Sequence, residues 1–287
     1  MGLGGRSFCS RVWATRLTSS THFAPKLTSK YHVYGITRRG YGASSIPDPE
    51  ILDNYTAARL GDDVLAVLTA LKLKKPVLAD HSIAGEELSS ISSHHADRIA
   101  GLIYLDAGYG YAHYDPALGD YDLDLNDLRR TLNQLTPDIS PKAEQSILTQ
   151  VQADLPGFQR DIQEKEEMDA VVPGDDAPAT TSDKPSPPSP GLAIILGQQK
   201  YTSLTGPILA IFAIPHKLPS DNPKEREALA AFQAFDTKRG TVIADSFEHE
   251  VPNAKVVRIK HADHYVFRSN EADVIREMNS FIGALPQ

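Results

Sequence analysis

The sequence predicts an α/β protein: a mostly parallel sheet flanked by helices, with a further helical segment inserted late in the chain. Three observations lead there. Apolar runs of strand length recur at 32–36, 76–79, 99–105, 207–214 and 254–259. Stretches with helical spacing stand between most of them, and alternating strands and helices imply parallel pairing, because each crossover lays a helix on the sheet. The gap between 105 and 207 holds about one hundred residues, far more than an ordinary connection, so it must carry structure of its own.

Composition agrees with one large domain: 287 residues, 41% hydrophobic and 23% charged. A net charge of −8 argues against a general affinity for nucleic acid or anionic membranes. No apolar run approaches the roughly 20 residues of a membrane span. A soluble, cytoplasmic protein is expected. A single cysteine, Cys9, excludes an internal disulfide and a Cys-based metal cluster, and fits a reducing compartment. A secreted bacterial protein without disulfides would show the same count. Whether the chain forms a homodimer stays open.

Residues 1–47 contain no Asp or Glu but hold Arg6, Arg11, Arg16, Lys26, Lys30, Arg38 and Arg39. That bias resembles a transit peptide, although the glycine-rich start favours domain sequence for the reason given below. Asp53 or Asn54 is expected to cap a helix with Leu60, Val64, Leu68 and Leu71 on its apolar face. Pro76 to Ala79 reads as a strand, Glu86 onward as a helix, and Ile99 to Leu105 as the next strand. Ser82 and Asp106 then fall at strand C-terminal ends, where parallel sheets carry their active sites. The core is expected to comprise residues 1–107 and 201–287, with 108–200 forming a mostly helical cap over the site. Within that cap, Pro173 to Gly191 is rich in Pro, Ser, Asp and Thr and reads as a mobile surface loop. Pro207 to Ile214 and Ala254 to Ile259 are strands. Val274, Met278, Phe281, Ile282 and Leu285 give a closing helix capped near Asn270.

The stretch from Pro76 to Leu88 carries the chemistry: an apolar run ends in His81-Ser82 and passes directly into a helix-forming segment. This is the layout of a nucleophile elbow, whose usual pattern is G-x-S-x-G. Here the outer positions are Asp80 and Ala84. A serine after a buried strand is more commonly a plain loop serine, so the motif needs company. His32 to Ser45 contains Arg38-Arg39-Gly40-Tyr41-Gly42-Ala43-Ser44, Leu102 to Leu105 ends in Asp106, and His261-Ala262-Asp263-His264 follows the last strand. In this order the blocks resemble the α/β-hydrolase superfamily over most of the chain, with the succession Ser82, Asp106, His264 matching the family's serine, acid and histidine.

The resemblance implies a serine esterase with Ser82 as nucleophile and His264 as its base. Asp106 would be the acid that orients the imidazole, with Asp221 as fallback; otherwise Asp106 merely caps a turn. His261 would end its strand, and Asp263 would point away. Backbone N–H groups of Ile83 and Leu3 would hold the oxyanion. The Leu3 assignment follows from Met1-Gly2-Leu3-Gly4-Gly5, which resembles the family's His-Gly-x-Gly-Gly loop after its third strand, with Phe23 to Leu27 resembling the next helix. On that alignment the first three strands have no counterpart, including one that normally lies within the sheet, and residues 6 to 22 read as an insertion or an altered segment. Tyr109, Tyr111 and Tyr114 would line a substrate pocket or form a hinge contact. Asp80 would crowd the nucleophile turn and disfavour an oxyanion.

The function expected from this reading is hydrolysis of small to medium carboxylic esters through an acyl-enzyme, with no metal or organic cofactor and no partner beyond the small-molecule substrate. His94 and His95 point about 100° apart on a helix and make a poor chelating pair. Perhydrolase or C–C hydrolase activity would use the same residues. The alternative from another class is a catalytically impaired relative that binds a small molecule or a partner protein, supported by Asp80 and the altered front edge.

Overall fold

The computed structural model describes residues 7–11 as backbone and residues 22–171, 188–218 and 220–286 in full. Six parallel strands form one sheet: β1 (Ser7–Arg11), β2 (His32–Gly35), β3 (Val77–His81), β4 (Gly101–Leu105), β5 (Ile208–Ala213) and β6 (Ala254–Ile259), in the order β2-β1-β3-β4-β5-β6. Every residue of β3, β4 and β5 is buried. Strands covered on both faces need continuous apolar runs, which is why these three were the plainest in the sequence.

The pleat sorts their side chains into two cores. Leu102 and Tyr104 pack with Leu68, Leu88, Ile91, Phe212 and Phe247 on one face, under α2 (Ala57–Ala70), α3 (Gly85–His95) and α8 (Ala230–Glu250). Ile103 and Leu105 turn to the other face, against α1 (Ala24–Leu27), α9 (Val266–Ser269) and α10 (Glu271–Ala284), whose Phe267, Met278 and Phe281 complete that layer.

Several expectations need correction. The sheet does contain the interior strand thought to be lacking: β1 pairs with β2 and β3 from within residues 6–22, Cys9 standing level with Tyr34 and Leu78. The run Ser-Phe-Cys-Ser-Arg is too short and polar to announce a central strand. Chain order also puts residues 1–5, with Leu3, before this strand and not after it. The first long helix, α2, is capped by Thr56, whose side chain accepts the Arg59 N–H; Asp53 and Asn54 instead form a preceding 3-10 turn. Leu60, Val64 and Leu68 are buried as expected, but Leu71 follows the helix and is 47% exposed. In α10, Val274, Met278, Phe281 and Ile282 are buried, while Asn270 occupies the cap position without a side-chain bond.

Between β4 and β5 run α4 (Tyr121–Leu132), α5 (Pro141–Val171) and α6 (Pro190–Leu196). Asp120 caps α4 by accepting the Leu123 N–H, and Ser189 caps α6 through Leu192. The stretch 173–191 falls largely outside the described residues. After β5 come α7 (Pro223–Ala228) and α8.

Candidate active site

β3 leads into a 3-10 turn, Ser82–Ala84, and then into α3. Ser82 itself is left-handed at φ +57°, a conformation that strains a residue with a Cβ and is held only where the surroundings enforce it. Tight packing follows at Gly85, where a Cβ would sit 2.2 Å from the Ala107 carbonyl oxygen. The close approach that requires glycine thus comes one residue later than the motif places it, and Ala84 is accommodated, fully buried. Asp80 is also buried, at 2% exposure, within β3. A buried ion pair, Arg38 to Glu87 at 2.5 Å, ties the loop after β2 to the first turn of α3.

His264 lies between β6 and α9. Its Nε2 is 2.9 Å from Ser82 Oγ and its Nδ1 is 2.7 Å from Asp106 Oδ2. Asp106 follows β4, is fully buried and has φ +48°. Its N–H donates to Ile211 O at 2.7 Å, while Oδ1 accepts the Ala213 N–H and the Tyr109 hydroxyl, each at 2.9 Å. Burial alone would raise this carboxyl, but hydrogen bonds from His216 and His264 overcome it and hold the group down to about 2. Neither Asp221 nor Asp263 stands in that place; both are exposed.

His81, at the end of β3, supports the other side of His264. Its Nε2 donates to the His264 carbonyl at 2.8 Å, and its ring lies 4.4 Å from His264 and 4.8 Å from Tyr265. Burial lowers His81 to about 4, so it serves as a neutral donor.

The sequence reading missed His216. It stands on the segment after β5, with Nε2 2.9 Å from Asp106 Oδ2 and Nδ1 2.8 Å from Asp236 Oδ2 on α8. Burial would lower this imidazole, but its two carboxylate partners raise it to about 10. The signal was faint: nothing in the run Ala213-Ile214-Pro215-His216-Lys217 marks its histidine as the partner of a distant carboxylate.

The three tyrosines separate. Tyr109 donates to Asp106, and Tyr111 interacts with the Ser82 hydroxyl, its own phenol raised by burial. Tyr114 turns away and donates to Asp124 on α4 at 2.8 Å. Ile83 directly follows Ser82 as the second residue of the 3-10 turn. Leu3 lies outside the described residues, as do residues 12–21 after β1.

Asp106, His216 and His264 offer ligand atoms within 4.8 Å of one another. A divalent ion there would have to displace the protons that join both rings to the carboxylate, and would draw His264 from Ser82. The chemistry open to the arrangement as it stands is proton transfer from Ser82 to His264, with Asp106 fixing the imidazole.

Comparison with known proteins bears on the family and the fold. Residues 2–277 match the profile described as the alpha/beta hydrolase family. A putative carbamate hydrolase, RutD of Caulobacter vibrioides, is 30% identical over 115 residues, 40% of this chain and 37% of that protein. The same protein from Caulobacter sp. strain K31 is 29% identical over 101 residues, 34% of this chain and 35% of its own length. The matched region therefore spans little more than a third of these relatives. Among solved structures, a Bacillus megaterium epoxide hydrolase superposes at a TM-score of 0.56 with 15% identity, over 98% of this chain and 94% of its own. A marine microorganism esterase gives 0.55 and 17%, over 98% and 96%. At such identity these likenesses speak for the fold. The profile match covers nearly the whole sequence, and the chain belongs to the alpha/beta hydrolase family.

Proposed function

We propose that this protein is a serine hydrolase of small to medium carboxylic esters, acting through an acyl-enzyme. The observation that carries the reading is the hydrogen-bonded succession Ser82 Oγ, His264 Nε2, His264 Nδ1, Asp106 Oδ2, with links of 2.9 and 2.7 Å. Ser82 Oγ attacks the ester carbonyl while its proton passes to His264 Nε2. The collapsing tetrahedral intermediate releases the alcohol, which takes that proton. Water then adds to the acyl-enzyme by the same route, giving the acid and restoring Ser82. The Ile83 N–H is the oxyanion donor named by this reading. Tyr109 and Tyr111 line the acyl side, and the helices between β4 and β5 serve as the cap over it. Carbamates undergo the same acyl transfer, and the relation to a putative carbamate hydrolase brings them into the substrate range tested.

The experiment is hydrolysis of p-nitrophenyl acetate, butyrate and an aryl carbamate by the parent chain beside Ser82→Ala, with circular dichroism of both. Turnover in the parent that is lost in the folded variant supports the reading. A folded parent that turns over none of them overturns it in favour of a binding role.

A further inference from the structure

We infer that His216 is a positioning residue of this site: an imidazolium held between Asp106 and Asp236 that fixes the acid and keeps a positive charge beside the base. The inference rests on the hydrolase reading above for its kinetic meaning, while the charge on His216 stands on geometry.

An ionised carboxylate only accepts hydrogen bonds. His216 Nε2 faces Asp106 Oδ2 at 2.9 Å and Nδ1 faces Asp236 Oδ2 at 2.8 Å. Two ring nitrogens that both donate make a cation. Its place is fixed from three elements. The His216–Ala262 bridge and the Lys217 N–H to Ala262 O bond of 2.9 Å set it against the segment that carries His264. Gln233 on α8 donates to the His216 carbonyl at 2.8 Å, one turn from Asp236. With Oδ1 of Asp106 filled by Ala213 and Tyr109, both histidines draw on the single oxygen Oδ2. His216 therefore completes the restraint of the acid and places a second cation next to the imidazolium that His264 becomes during attack.

The charged and titratable groups around His264 are Asp106 after β4, His81 from β3, Tyr109 and Tyr111 after β4, Tyr265 beside it with Arg268 over the Tyr265 ring at 5.0 Å, and the His216–Asp236 pair. Of these, His216 is the cation bonded to the same carboxylate oxygen, its ring 6.3 Å from that of His264. A unit charge at such a separation in a partly buried site moves a titration by about one pH unit.

The test is the pH profile of kcat/KM for the parent, His216→Gln and Asp236→Asn, with ring-nitrogen NMR of the parent. His216→Gln keeps a donor for Asp106 but removes the positive charge, so the acid limb should move up by about one pH unit. Asp236→Asn removes a negative charge and should move it the other way by a smaller amount. A loosened fold would not give shifts of opposite sign. The His216 ring, identified by its loss in His216→Gln, should carry both protons at pH 8. Turnover with the acid limb unmoved in both variants overturns the role of His216 alone. No Ser82-dependent turnover in the parent overturns the hydrolase reading and that role with it. A His216 ring that is neutral at pH 8 overturns the charge assignment in either case. Should His216→Gln not fold, the Asp236→Asn profile and the NMR decide.

Discussion

The two halves of the molecule treat their side chains in opposite ways. Ser82 and Asp106 directly follow β3 and β4, strands in which every residue is buried. In α5, by contrast, the buried residue among its thirty-one is Asp161, and Leu148 and Leu155 are 39% and 40% exposed. One region is over-determined, so it can hold strained backbone at Ser82 and Asp106; the other touches its neighbours, α4 and α8, with much of its apolar surface exposed. Strain and precision belong where packing enforces them, while a long connection between strands can be loosely held.

The comparison can be broken most forcefully at the sheet end. Ser82→Ala should lower kcat by about 10⁴- to 10⁶-fold without loss of fold, and Asp106→Asn by about 10⁴-fold, because the amide would leave His264 in the wrong tautomer. Steady-state rates of the folded variants check both. In the core beneath, Leu102→Ala should cost about 2–5 kcal/mol of stability, read from denaturant midpoints, since Leu102 is fully buried.

The helical region sharpens the contrast through Asp161. Burial, followed by the neighbouring Asp124, raises its carboxyl to about 7 from an ordinary 3.8. The folded chain then keeps a proton that the unfolded chain releases. Stability from this group is present at low pH and is lost as pH rises through that window. Asp161→Asn should accordingly lose less in Tm than the parent between pH 5 and pH 8, as thermal melts would show. Smallest of all, Leu148→Ala on the exposed face of α5 should stay within about 0.5 kcal/mol. A large loss there would mean that α5 is bound as firmly as the sheet.

Legibility in the sequence followed the same divide. Strands β3 to β5 announced themselves because full burial demands unbroken apolar runs, and the helix-forming residues after Ser82 marked the turn. β1 did not, since its Ser-Phe-Cys-Ser-Arg run is short and polar and is marked as a strand only by its pairing with β2 and β3. Thr56 was overlooked as a cap because Asp53 and Asn54, both better-known caps, came first. Ser82, Asp106 and His264 could be named from their order along the chain. His216 could not, because a histidine that serves a carboxylate in space leaves no spacing rule in the sequence. Tyr114 shows the converse: three neighbouring tyrosines look alike in a string, yet its hydroxyl reaches Asp124 while the other two face the site.

Asp106 is sewn into the adjacent strand twice, through its N–H on Ile211 and its carboxylate on the Ala213 N–H. Its location is therefore inherited from the pairing of β4 with β5, strands separated by a hundred residues of chain. A slip of one residue between them during assembly would carry Asp106 away from both partners and leave a buried carboxylate without its donors. The acid thus doubles as a checkpoint, since a misregistered sheet would pay for the error at the one group least able to tolerate it.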